Sequence, residues 1–308
     1  MAGAVAATTK RRRGALSALR RREAIDGYLM AAPFLIGFLL WIAFPMLYSI
    51  WLVFQSWDLL TPPRFVGLAN VNQLFHDPST PVVLGDTAYY TFIGVPLRLV
   101  LAFLLAMALN VGLRGRDVYR TIFYLPAITP IIASAVIWLR IFHPEFGILN
   151  EVIGFFGLPP EKWLFNPALA KPAFIFMDLW SIGPMFVIFL AGLQGVPPTL
   201  LEAASIDGAG RIRRFFAIVV PMVSPVIFFN LVVGIIGSFQ VFTTALVMTN
   251  GGPQNATLFA VLYIYQHGFQ YFHMGYAATF AWLLFLIILV FTVLQFWVGR
   301  QWVFYEEI

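Results

Sequence analysis

The chain has 308 residues, 60% hydrophobic and 11% charged, with a net charge of +5 and no cysteine. Soluble domains carry about 25% charged residues, and 32 phenylalanines with nine tryptophans exceed what one aqueous core of this size holds, so lipid must solvate much of the surface. The missing cysteines exclude disulfides, thiolate nucleophiles and cysteine metal sites.

Residues 1 to 24 form a basic, alanine-rich arm. Six apolar runs follow, each near the roughly 20 residues that cross hydrocarbon. They extend from Tyr28 to Phe54, Asp86 to Leu109, Thr121 to Phe142, Pro172 to Leu193, Ile218 to Phe242 and Ala277 to Gly299. The pattern predicts an all-α, polytopic membrane protein. The first run is too long for a signal peptide's apolar core, and no small-residue cleavage site follows it.

Basic residues retain the segments that carry them on the cytoplasmic side. With the N-terminus inside, that set is Lys10, Arg11, Arg12, Arg13, Arg20, Arg21, Arg22, Arg114, Arg116, Arg120, Arg211, Arg213, Arg214 and Arg300, 14 of the 19 Lys and Arg. The outer segments hold Arg64, Arg140, Lys162 and Lys171, and Arg98 falls inside the second run. Both termini are therefore expected in the cytoplasm. The positive charge acts as a retention signal, and nucleic acid is not needed to explain it.

Between the crossings, Gln55 to Gly85 contains TPPRFVGLANVNQLF, where Pro62, Pro63 and Gly67 break regular structure. The segment His143 to Lys171 reads as a short interfacial helix stopped by Pro159 and Pro160. In Thr243 to Tyr276, Gly251, Gly252 and Pro253 punctuate the chain before a partly apolar helix. Prolines inside the runs, at Pro33, Pro45, Pro96, Pro126, Pro130, Pro184 and Pro225, bend or interrupt helices. Broken helices of this kind can line a passage.

Between the fourth and fifth runs stands VPPTLLEAASIDGAGRIRRFFAIVVP, polar and glycine-broken. Pro198 suits a first helical turn, Gly208 and Gly210 end that helix after about two turns, and a short basic helix from Arg211 to about Phe216 leads to Pro221. A helix lying on lipid should show a continuous bulky apolar face. AASIDGAG does not, so a small-residue knuckle for protein contact competes with a plain surface linker. Glu202 and Asp207 offer it carboxylates for charged hydrogen bonds.

The run Glu202-Ala203-Ala204, three residues, Gly208, nine residues, Ile218, one residue, Val220-Pro221 resembles the EAA signature of permease subunits in binding-protein-dependent ABC importers. Asp207-Gly208-Ala209 fits its fuller form, and Val220 replaces the leucine often found before the proline. Phe65-Val66-Gly67-Leu68-Ala69-Asn70 and Thr249-Asn250-Gly251-Gly252-Pro253 with Asn255-Ala256-Thr257 resemble the carbohydrate branch. The resemblance covers about residues 28 to 300 and lacks the inserted extracellular domain of the large maltose subunit.

It implies a type I ABC importer permease fold over residues 25–308, with a cytoplasmic coupling loop at 194–218. It implies a bacterial inner-membrane assembly in which this chain pairs with a second homologous permease, two ATPase subunits and an extracytoplasmic solute-binding protein. The coupling residues carried over are Glu202 toward an ATPase basic residue, Ala203 and Ala204 for close approach, Asp207 to brace the turn and Gly208 to permit it. The implied solute is a di- or oligosaccharide, with glycerol-3-phosphate or its diesters as the alternative.

No GxxxxGK[ST] phosphate cradle is present, so ATP and Mg belong to the partner ATPases, and no cofactor or enzymatic activity is expected here. Arg98 and Asp178 are charges within apolar runs; a polar cavity, a mutual ion pair or an interface would each relieve their cost. Trp180, Asn230, Phe239 and Gln240, with Phe228 and Phe229, offer hydrogen bonds and aromatic faces to a sugar, or else pack helices together. His76, His143, His267 and His273 lack metal or catalytic spacing and read as solvent or interface residues. A secondary transporter would explain the crossings without needing the knuckle, and a membrane enzyme would cluster His, Asp or Glu.

Overall fold

The computed structural model describes residues 2–110 and 115–304; Arg114, one of the expected retention charges, lies outside them. Helix α1 (Ala2–Phe38) continues through a wide π turn at Leu39–Ala43 into α2 (Phe44–Val53). A small hairpin, β1 (Gln55–Ser56) against β2 (Arg64–Phe65), precedes α3 (Ala69–His76) and the long α4 (Ser79–Asn110). Then come α5 (Arg116–Ile128), α6 (Ile131–Ile141), α7 (Ile148–Phe155), α8 (Pro167–Trp180) and α9 (Gly183–Gln194). The knuckle holds α10 (Pro198–Ile206) and α11 (Arg211–Arg214), and α12 (Val220–Phe239), α13 (Thr243–Met248), α14 (Ala260–Tyr265) and α15 (Met274–Trp302) complete the chain.

Four helices are long and apolar enough to cross a membrane, Arg20–Val53, Ser79–Asn110, Arg211–Phe239 and Met274–Trp302. The expected third and fourth crossings are instead bent pairs, α5 with α6 at 99° and α8 with α9 at 49°. The first bend falls at Thr129–Pro130, where extended backbone replaces helix, because a residue before proline is pushed out of the helical region. Counting each pair once gives six spans, and the fold is all-α apart from the hairpin.

Two expected helix ends differ. The short basic helix expected from Arg211 to about Phe216 is not separate from the fifth crossing: a π turn at Phe215–Val219, just before Pro221, carries the helix from Arg211 to Phe239 without a break. The proline ring would clash with the carbonyl four residues back; the wider turn places that residue, Ala217, within its own loop and bonds Val220 N–H to the Phe215 carbonyl. The same device precedes Pro45. The interfacial helix α7 ends at Gly157, φ +75°, rather than at Pro159–Pro160. There Leu158 N–H reaches the Ile153 carbonyl and Gly157 N–H the Gly154 carbonyl, a left-handed helix stop.

The interior is two apolar clusters in line. One, at the hairpin end, includes Val83, Tyr90, Val95, Trp138, Phe174, Phe239, Phe259 and Phe280. The other, at the knuckle end, includes Ala102, Ala106, Phe186, Phe189, Leu193 and Val223. Helix α4 runs through both and packs against α8, α9 and α12. Most of the remaining apolar surface faces outward, Trp41 and Phe34 included, as lipid or subunit contact requires.

Candidate translocation path and coupling surface

Where the two apolar clusters meet, α4, α8 and α12 bring four polar side chains together. Arg98 Nη1 lies 3.2 Å from Asp178 Oδ2, and the pair is only 18% and 20% exposed. Tyr90 donates its hydroxyl to the same carboxylate oxygen, and Arg98 Nη2 donates to Ser238 Oγ. Burying either charge alone would be expensive. Together they share one site, so of the three ways to relieve their cost the ion pair is the one realised. Three residues later α8 breaks at Ser181.

A second ion pair joins the same two helices: Lys171 Nζ meets Asp86 Oδ1 at 2.5 Å. Sequence reasoning missed this contact, Tyr90 and Ser238. Asp86 looked like a helix boundary and Lys171 like an outer-segment charge, and nothing in the sequence brings residues so distant together.

The other residues offered for a solute diverge. Trp180 is 37% exposed and meets Trp138 edge-on, and Gln240 is exposed at the end of α12. Phe229 faces outward, whereas Phe228 is buried against Phe296 and Trp302. Asn230 and Phe239 are 2% exposed. Asn230 donates to the Val226 carbonyl of its own helix, and Phe239 packs on Phe92 and Phe291. Both serve as interior packing in this conformation.

At the knuckle, Pro198 opens α10 and the helix ends near Gly208 as expected, by a left-handed stop with φ +78°. Gly208 N–H bonds the Ser205 carbonyl and Ala209 N–H the Ala204 carbonyl, which satisfies orphan carbonyls of the last turn. Glu202, Ala203, Asp207 and Gly208 are exposed, and Ala204 is half-buried. Asp207, expected to brace the turn, makes no ion pair among the described residues. Arg214 Nη1 reaches the Leu201 carbonyl at 3.4 Å. Leu201 turns in against the knuckle-end cluster while Ile206 stands 86% exposed. The sequence reading had overlooked Ile206.

The two other signature runs are clamps. Asn70 Nδ2 donates to the Val53 and Gln55 carbonyls, both at 2.8 Å, fastening the hairpin to the end of α2. Thr249 and Thr257 hydroxyls meet at 2.6 Å, Thr257 Oγ1 also bonds the Gly252 carbonyl, and Ala260 N–H bonds Thr87 Oγ1 on α4.

Nearby, Asp77 Oδ2 accepts hydroxyls from Tyr263 at 2.5 Å and Tyr276 at 2.6 Å. Partial burial pushes this carboxyl up, but the tyrosine hydrogen bonds outweigh it and hold Asp77 below the usual carboxylate value. Burial and then the neighbouring His273 depress His267, while burial and the Asp77 contact raise Tyr263. His76 and His273 are exposed, and His143 and His267 half-buried. No group of three metal-ligating side chains occurs among the described residues.

Residues 98–303 match the family described as binding-protein-dependent transport system inner membrane component. A probable ABC transporter permease protein of Bacillus subtilis, YesP, is 41% identical, covering 93% of this chain and 94% of that one. The trehalose/maltose transport system permease protein MalF of Thermococcus litoralis is 34% identical, over 92% and 97%. The sn-glycerol-3-phosphate transport system permease protein UgpA of Yersinia pestis is 34% identical, over 87% and 92%. Among solved structures, a chain of a bacterial ABC transporter involved in import of the acidic polysaccharide alginate shares the fold, with TM-score 0.79, 23% identity and coverage of 91% and 96%. The chain is a multi-pass membrane protein and belongs to the family of binding-protein-dependent transport system inner membrane components.

Proposed function

We propose that this chain is one permease half of an ATP-driven sugar importer, levered from its cytoplasmic face by partner ATPases. The observation that carries this reading is the knuckle: a two-turn helix, closed at Gly208, that presents Glu202, Ala203 and Ile206 to solvent. Small residues allow close approach, and the carboxylate can meet a basic partner. Family membership and the trehalose/maltose relative support a saccharide as solute, and they set the secondary-transporter reading aside.

The working assembly pairs this chain with a second homologous permease, two ATPases that bind ATP and Mg, and an extracytoplasmic solute-binding protein. Both termini and the 194–218 loop face the cytoplasm, where the excess of arginine and lysine holds them. ATP closing the two ATPases would move the docked knuckle, and α9 and α12, which flank it, would carry that motion to the Arg98–Asp178 region. This chain supplies passage and lever and performs no hydrolysis. The glycerol-3-phosphate alternative is favoured by one observation, the 34% identical relative of that name.

The test is coexpression with its companion permease, ATPase and binding protein, followed by reconstitution in liposomes. The ATPase should copurify, and saccharide-loaded binding protein should stimulate ATP hydrolysis and sugar entry. Sugar uptake by this chain with no ATPase present overturns the reading.

A further inference from the structure

Asn70 and the bare Gly275 hold the hairpin close against α15, and beside that junction opens a cavity of about 280 Å³. The aromatic residues Trp57, Phe272 and Tyr276 line it together with Asp58, Gln73 and His273. Sites that hold a whole small molecule run to roughly 300–1,000 Å³. This cavity is smaller and suits one inserted side chain.

Asp58 Oδ1 accepts hydrogen bonds from Leu60 N–H at 3.1 Å and from the Thr61 N–H and hydroxyl at 2.8 and 2.9 Å. Those bonds, the Thr61 N–H first, hold the carboxyl below its ordinary 3.8, so it is ionised at neutral pH. It makes no ion pair among the described residues. The backbone on both sides of the cavity is strained: Leu59 at φ +66° and Phe272 at φ +56° occupy the left-handed region that bulky side chains avoid. Such strain persists where it presents a group to a ligand, and Phe272 stands 44% exposed.

The three segments read as extracytoplasmic carry Asp58, Asp77, Glu145, Glu151 and Glu161 against Arg64, Lys162 and Lys171, and Asp86 already holds Lys171. An acidic surface of this kind complements a basic partner. A carboxylate among aromatic side chains receives a guanidinium or ammonium group by charge-assisted hydrogen bond and cation–π contact. A neutral sugar would leave its charge unanswered.

We infer that the cavity between the hairpin and α15 receives an arginine or lysine side chain of the solute-binding protein, with Asp58 as counter-charge and Trp57 and Phe272 as aromatic walls. This rests on the importer reading and its orientation, and adds where and by what chemistry the binding protein docks.

The experiment uses the complete importer in proteoliposomes, titrated with solute-loaded binding protein while ATP hydrolysis is followed. Asp58→Asn keeps an acceptor for the turn and removes the charge. The half-saturating concentration of binding protein should rise about fivefold or more, with the rate at saturation within about twofold. Its increase between about 0.05 and 0.3 M salt should be smaller than in the unaltered importer. Phe272→Gly suits the left-handed backbone and removes the ring, so half-saturation should rise about threefold with no fall in melting temperature. In Asp58→Lys, changing one basic residue of the binding protein to Glu should restore half-saturation. Unchanged half-saturation in Asp58→Asn overturns the inference and leaves the aromatic residues to the lipid surface. A scan of the binding protein's basic residues that finds no restoring change overturns it too. Should Asp58→Asn not assemble, Phe272→Gly and the charge swap decide. Loaded binding protein that fails to stimulate the unaltered importer, with ATPase bound, strikes the importer reading instead.

Discussion

Arg98 on α4 and Asp178 on α8 meet at 3.2 Å where the two apolar clusters join, each mostly buried and each the other's counter-charge. Removing one member strands the other. Arg98→Gln should therefore lower unfolding free energy by about 3 kcal/mol, read as a drop in melting temperature of the detergent-purified chain. The double change Arg98→Gln with Asp178→Asn should lose less than the sum of the two single changes. Additive losses would show that the contact contributes nothing.

Gly275 has no room for a side chain. A Cβ there would sit 1.8 Å from the Gln55 carbonyl oxygen and 2.7 Å from Asn70 Nδ2. Gly275→Ala must push the hairpin off α15, at about 1–3 kcal/mol. Asn70→Ala removes two bonds to carbonyls, at about 1–2 kcal/mol. Because both act on one junction, the pair should be less than additive. Thermal unfolding of the three variants checks this.

Gly208→Val places a β-branched residue at φ +78°, where left-handed backbone costs about 1–2 kcal/mol. The spans do not depend on that turn, so the chain should still assemble in the membrane. Solute-stimulated ATP hydrolysis should fall at least tenfold, as it should in Glu202→Lys, which reverses the charge offered to the ATPase. Full-rate transport in either variant would remove the coupling role from the knuckle.

Acid should loosen the hairpin end before the spans. Asp77 titrates below its ordinary 3.8 when folded, so the stability it adds is complete above that value and is lost as pH falls through the lower folded one. His267 is depressed from 6.5, so it too favours the fold above 6.5 and loses that contribution on acidification. His267→Gln should flatten the decline in melting temperature just below pH 6.5, and Asp77→Asn the decline below 3.8. An unaltered pH profile in both would contradict the assignment.

Several features were legible because they are local. The apolar runs fix where lipid must lie, and the left-handed stop at Gly208 is made within Ala204–Ala209 alone. The Thr129–Pro130 bend is less visible: Pro130 marks a disruption, yet proline alone does not say whether a helix kinks or turns by 99°. Pro159 misleads for the complementary reason: a glycine two residues upstream ends the helix before the proline acts. A π turn lets Pro221 stand within a helix that runs on from Arg211.

The sequence by itself determined a chain immersed in lipid, its approximate spans and a knuckle fit for a protein partner, since each depends on neighbours along the backbone. Tertiary structure alone decided that Arg98 answers Asp178, that Lys171 answers Asp86, and that Asn230 and Phe239 lie inside. Helix rotation and crossing set which side chains face each other across tens of residues, and composition says nothing of either.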